Sequence, residues 1–218
     1  MKFRKTDYIA ILILIATLIQ LVIIYPSLPQ QVVTNWGTNG NVTYGPKSTI
    51  WQLWIINALL FPGFFIIPKI DPRGKNYSKV DGFYAVFRII MVVFLSGMLE
   101  LVIFTAEDAH RFDVIKIGMI AVSLLMIFIG NYLPKCKQTY TMGIKNMWTY
   151  ADERVWNDTH RFGGKLFAAA GIVMLLSALF APENIMAAVT IIMLLGSFIV
   201  INVYSYLRYR KYSNGSEE

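Results

Sequence analysis

Residues 130–165 read GNYLPKCKQTYTMGIKNMWTYADERVWNDTHRFGGK. One long apolar run precedes this stretch and another follows it. The stretch carries too many charges and hydrogen-bonding groups to lie in lipid. It also carries Trp148, Tyr150, Trp156 and Phe162, side chains suited to a membrane–water boundary. A polar island flanked by apolar runs is a loop between membrane spans, and the rest of the chain follows that pattern.

The 218 residues are 56% hydrophobic and only 15% charged, and the mean hydropathy is +0.53. Soluble domains are nearer a quarter charged. The excess apolar residues fall into runs of about twenty, the length that crosses a hydrocarbon core. Six spans are expected: Tyr8–Tyr25, Ile50–Pro68, Phe83–Phe104, Val114–Leu133, Leu166–Ala181 and Ile185–Leu207. The first is too long for a signal peptide and is followed by Pro26-Ser27-Leu28-Pro29 rather than a small-residue cleavage site. Pro62-Gly63 should kink the second. The expected fold class is an all-α integral membrane protein, a bundle of six transmembrane helices. It divides along the sequence into residues 1–68, 69–133 and 134–218 within one membrane domain.

Sidedness follows from the basic residues. With the amino terminus in the cytosol, sixteen of the twenty Lys and Arg lie in cytosolic segments. Lys47, Arg111 and Lys116 lie outside, and Arg88 lies within a span. This asymmetry places both termini in the cytosol. It also accounts for the net charge of +7 without a nucleic-acid partner. The single cysteine excludes an internal disulfide, and Cys136 is expected as a free cytosolic thiol.

Between the first two spans, Val32–Trp36 and Asn41–Tyr44 are β-prone and flank Gly37-Thr38-Asn39-Gly40. That pattern reads as a short extracytosolic hairpin resting on the membrane surface or on other loops. In the long cytosolic loop, Thr149–Phe162 reads as a helix. Trp148, Val155 and Trp156 share one of its faces, as an interfacial helix requires. Gly163-Gly164 would then turn the chain into the fifth span.

Glu100 and Asn57 are the candidate intramembrane polar site. Arg88 shares a span with Glu100, but twelve residues put them about 18 Å apart along the axis. Arg88 is expected to snorkel to lipid phosphate. His110 and His160 fall on opposite sides of the membrane and cannot share a metal. No metal, cofactor or nucleophile–base motif is present, so nothing supports an enzyme.

The order Gly130-Asn131-Tyr132-Leu133-Pro134-Lys135, Gly143-Ile144-Lys145, Trp148-Thr149, Val155-Trp156, Thr159-His160-Arg161 and Gly164 resembles the SdpI family. These are bacterial multi-spanning membrane proteins named for immunity to a secreted killing peptide. The family usually has Arg where Lys145 stands and Pro where Met147 stands. Leu28-Pro29 through Gly40 to Lys47 resembles the small domain of unknown function that often precedes the SdpI region, with Asn35 in place of a usual His.

The resemblance implies a protein of the bacterial cell membrane that confers immunity to a secreted, membrane-active peptide toxin. For at least some members it implies a relay that holds a cytosolic repressor at the membrane. On the outer side, Trp36 and Tyr44 are the candidate toxin contacts. On the inner side, Lys145, Trp148, Trp156, His160 and Arg161 form either an interfacial surface or a docking site for a cytosolic partner. A rival reading is a small transporter or exporter of peptide or lipid-like substrates, with Glu100 and Asn57 among the residues lining its path.

Overall fold

The structure is a computed structural model and describes residues 2–37, 41–109 and 113–214. In chain order its elements are α1 (Lys5–Ile24), β1 (Gln31–Trp36), β2 (Val42–Pro46), α2 (Ser48–Ile70), α3 (Lys75–Ser78), α4 (Asp81–Phe104), α5 (Val114–Tyr132), α6 (Met147–Ala151), α7 (Glu153–Phe180) and α8 (Glu183–Asn214). A 3₁₀ turn, Leu133–Lys135, follows α5. Six helices are long and apolar enough to cross a membrane: α1, α2, α4, α5 with its 3₁₀ extension, α7 and α8. The chain is a multi-pass membrane protein, as expected.

The spans carry the marks of lipid exposure. Leu12, Ile19 and Ile23 on α1, and Leu195, Phe198 and Ile199 on α8, are large apolar side chains left uncovered by protein. Several polar residues inside the spans bond to their own helix. Thr17 donates to the Leu14 carbonyl, Ser123 to Met119 and Asn202 to Phe198. A hydroxyl or amide that finds its acceptor one turn back costs little in a medium without water. α2 runs unbroken through Pro62 and Pro68.

The described residues form two compact units. The first comprises residues 1–69 and 81–118; the second comprises 70–80 and 119–218. In the first, α1 and α4 pack side by side and parallel. Arg4 and Asp7 near the start of α1 meet Asp81 and Arg88 near the start of α4, while Gln20 near the end of α1 meets Glu100 near the end of α4. Between these polar contacts lie Ala10, Leu14, Phe61 and Val92. A second apolar cluster joins Leu21, Leu28, Val32, Ile50, Leu99, Ile103 and Ala106.

β1 and β2 pair antiparallel, from Gln31 opposite Pro46 to Trp36 opposite Val42, with an irregularity between Val33 and Asn35. The expected hairpin is therefore present. Its turn residues Thr38, Asn39 and Gly40 lie outside the described residues, as does His110. Val32 and Val33 are both buried, and Val32 belongs to the cluster formed by the ends of α1 and α4. The hairpin thus rests on protein.

In the second unit, α7 and α8 pack along their length, and α5 meets α7 at glycines. A Cβ at Gly130 would lie 2.7 Å from the Gly164 carbonyl oxygen, and one at Gly171 would lie 2.9 Å from the Ser123 carbonyl oxygen. Only residues without a side chain let the two backbones approach this closely. The turn expected at Gly163-Gly164 does not occur. Both lie inside α7, which runs straight from the polar segment into the span.

Candidate functional site

The hairpin separates its two expected contact residues. Tyr44 is 53% exposed, on the strand that faces away from the core. Trp36 is partly buried, and its indole N–H donates to the Ala109 carbonyl at 3.4 Å. Tyr44 is available to an incoming ligand, whereas Trp36 fastens the hairpin to the segment after α4.

Within the spans the structure corrects the reading of Arg88. Its side chain is fully buried and does not reach toward headgroups. Its guanidinium clasps Asp7, with Nε to Oδ1 and Nη2 to Oδ2 both at 2.8 Å. It also lies 4.4 Å from the Phe65 ring centroid and 5.4 Å from that of Tyr84. Asp7 accepts the Arg4 backbone N–H as well, at 2.7 Å, so one carboxylate caps α1 and neutralises α4. The sequence contained a signal for this pair. Asp7 and Arg88 each stand within about two turns of the start of an odd-numbered span, and odd-numbered spans begin on the same side.

Glu100 accepts a hydrogen bond from Gln20 Nε2 at 2.7 Å and remains partly exposed. Asn57 is buried and donates to Ser96 Oγ at 3.0 Å and to the Val92 carbonyl at 3.3 Å. Its Oδ1 finds no partner in the protein. Each residue contacts a neighbouring helix, but no hydrogen bond links the two.

The polar island of the second unit folds into a fixed knot around Trp156. This ring is fully buried, donates to the Cys136 carbonyl at 2.9 Å, and stacks on His160 with centroids 4.0 Å apart. His160 Nε2 lies 2.9 Å from the Ile144 N–H, and Nδ1 lies 2.8 Å from the Trp156 carbonyl. An amide N–H only donates and a carbonyl only accepts, so the ring is the Nδ1–H tautomer. The chain crosses these rings at Gly143, whose φ of +113° is left-handed. A Cβ there would press on Trp156 at 2.8 Å and on the His160 ring.

The single helix expected over 149–162 is two helices. Asn146 caps α6, its side chain accepting the Thr149 N–H while the Thr149 hydroxyl accepts the Asn146 N–H. Asp152 then adopts an extended conformation and caps α7, accepting the Arg154 N–H at 2.6 Å. Two competing caps six residues apart break the helix. The expected face also divides. Val155 and Trp156 turn into protein, while Trp148 packs on Tyr206 of α8 at 5.5 Å. Asn146 Nδ2 bonds Asn202 and Ser205 of α8, and Ser205 meets Thr159. Gln138 donates to the Thr149 and Tyr150 carbonyls. Lys145 and Arg161 stay exposed, and the Lys145 ammonium reaches the Thr141 carbonyl at 3.3 Å.

Asp71 was not singled out by sequence, yet it anchors this knot. It accepts from the Arg73 and Tyr140 N–H groups and from the Thr141 and Tyr77 hydroxyls, at 2.8 to 3.2 Å. The Tyr77 and Thr141 hydroxyls also contact each other. Burial alone would raise the Asp71 pKa, but these four donors together hold it below the usual carboxylate value. Burial pushes the Cys136 thiol up to about 12, which makes it a poor nucleophile. The outer surface of the knot carries Asp152–Arg154 and Asp158–Arg208 ion pairs, with Tyr212 donating to Asp158.

This is a hydrogen-bonded surface element with an exposed rim formed by Lys137, Tyr140, Lys145 and Met147. Comparison with known proteins agrees with the motifs. Residues 135–205 match the model of the SdpI/YfhL protein family, and residues 12–61 match the domain of unknown function DUF1648. No solved structure matches the chain. The immunity protein SdpI of Bacillus subtilis (strain 168) is 24% identical over 213 residues, which cover 97% of this chain and 99% of that protein. The chain is thus a multi-pass membrane protein that resembles the SdpI family and is similar to one of its immunity proteins from end to end.

Proposed function

We propose that the chain is a membrane immunity protein that protects a bacterial cell against a secreted, membrane-active peptide toxin. The observation that carries this reading is the end-to-end similarity to the Bacillus subtilis immunity protein, which includes the hairpin region as well as the SdpI/YfhL region. The hairpin meets the toxin. Tyr44 offers exposed apolar area, and strand edges offer backbone groups to an extended peptide. The basic segments, the knot among them, lie in the cytosol with both termini. The rim of the knot holds a cytosolic repressor when toxin is bound.

Expression in a toxin-sensitive strain tests the function. Survival should rise with the intact protein and fall with Tyr44→Ala at matched expression. No protection by the intact protein against any cognate candidate sinks the reading. Sidedness is tested separately by an impermeant thiol reagent in intact cells on a Cys136→Ala background. Asn41→Cys should label and Lys137→Cys should not; the reverse pattern overturns the orientation. Native Cys136 cannot report sidedness, because a buried thiol with its pKa near 12 stays unlabelled on either face.

A further inference from the structure

A cavity of about 450 Å³ opens where α1 and α4 begin, lined by Phe3, Arg4, Lys5, Thr6, Gly82, Ala85 and Val86. Its two walls differ in chemistry. Arg4 and Lys5 supply cations. Phe3, Ala85 and Val86 supply an apolar surface, with Phe3 held in place by stacking on Phe65 at 4.9 Å.

The charges at this end of the first unit are unevenly compensated. Asp7 is engaged by the buried Arg88, and Asp81 accepts Arg4 Nε and Nη2. Arg4 Nη1 stays beside Gly82, at the cavity wall, where a Cβ would lie 3.7 Å away. Lys2 and Lys5 are exposed and have no acidic partner among the described residues.

We propose that this cavity binds the phosphate of an anionic phospholipid, with Lys5 and Arg4 Nη1 beside the phosphate and the lipid's glycerol and upper acyl carbons along Phe3, Ala85 and Val86. The position favours a lipid over a soluble anion. The cavity sits at the first turns of two helices long and apolar enough to cross a membrane, and the ends of such helices meet the headgroup region. A free phosphate would leave the apolar wall unused, whereas a lipid occupies both. First-turn amides, which lack partners within their own helices, add to the attraction for an anion. The bound lipid would bridge α1 and α4 beside the Arg4–Asp81 contact. It is independent of the immunity reading and of which side of the membrane this end faces.

The test uses the full chain, purified in a neutral detergent and titrated with phosphatidylglycerol, phosphatidylcholine or inorganic phosphate. Native mass spectrometry counts bound lipid and thermal unfolding reads stabilisation. Phosphatidylglycerol should bind and raise the melting temperature, and the other two should not. Lys5→Gln should weaken phosphatidylglycerol binding about fivefold, as expected for one cation at a membrane surface. The change should leave the lipid-free melting temperature unaltered, since Lys5 has no acidic partner among the described residues. Lys75→Gln, outside the cavity, is the control and should have no effect. Equal stabilisation by phosphatidylcholine or by inorganic phosphate overturns the proposal. So does a Lys75→Gln variant that loses as much binding as Lys5→Gln, or a Lys5→Gln variant that binds phosphatidylglycerol as the parent does.

Discussion

The two units bury polar groups by opposite means. The first buries a full charge and matches it with another, Arg88 on Asp7, across 81 positions of sequence. The second holds His160, Trp156, Gln138, Thr149 and Asn146 in a network whose partners are mostly backbone groups, and surrounds the buried Asp71 carboxylate with hydrogen-bond donors. A charge pair has two long-range owners and fails if either is missing. A network of caps and ring N–H bonds is short-range and fails piecemeal. The first arrangement fixes which helices are neighbours; the second fixes how one segment is folded.

The sharpest way to break this contrast is to remove one member of the ion pair. Asp7→Ala should destabilise the protein by about 3–5 kcal/mol in thermal or denaturant unfolding, because it strands a buried guanidinium. Asp7→Leu with Arg88→Met should recover most of that loss. If the double variant is as weak as the single, the pair does more than neutralise charge.

Trp156→Ala should cost a similar amount, about 3–5 kcal/mol, through lost packing and a stranded Cys136 carbonyl. Asn157→Ala, one residue on and exposed, should stay within about 0.5 kcal/mol. Equal effects would place Trp156 against lipid instead of protein.

Asp71 supplies the pH test of the second unit. Its folded pKa is lowered, so the unfolded chain takes up the proton first on acidification. Its contribution is complete above the unfolded carboxylate value of about 4 and is lost as pH falls through the lower folded value. Asp71→Asn should therefore be less stable at neutral pH, and the gap should close below about pH 4. A gap independent of pH would assign the loss to geometry rather than charge.

The smallest effect belongs to Arg4–Asp81, where the side chains are 48% and 21% exposed. Arg4→Ala should cost no more than about 1 kcal/mol in the absence of lipid, and the cost should shrink in high salt.

The spans were legible because a hydrocarbon core imposes one length and one composition on every crossing. The hairpin was legible because β-prone runs flanked turn residues. What the sequence hid were contacts set by tertiary geometry. Arg88 looked able to snorkel because its distance to the helix end was visible and its partner, 81 positions away, was not. Thr149–Phe162 looked continuous because periodicity does not register an Asp152 that caps a second helix. Gly163 and Gly164 looked like a hinge, since a close approach and a turn ask for the same residue. Among the candidate residues, His160 and Trp156 come together, Trp148 packs on Tyr206, and Lys145 and Arg161 stay exposed.

The parallel pairing of α1 and α4 has a consequence for biogenesis. An arginine in a nascent span raises its cost of insertion, by about 2.5–3.5 kcal/mol at the helix centre and by less toward an end, when no partner is at hand. The ribosome makes Asp7 long before Arg88. The first span is therefore already resident when the third leaves the translocon, and it waits with the carboxylate the newcomer needs. A chain lacking its first seven residues would present Arg88 to the bilayer unaccompanied, and its failure would appear as the third span stalling or being cleared by quality control.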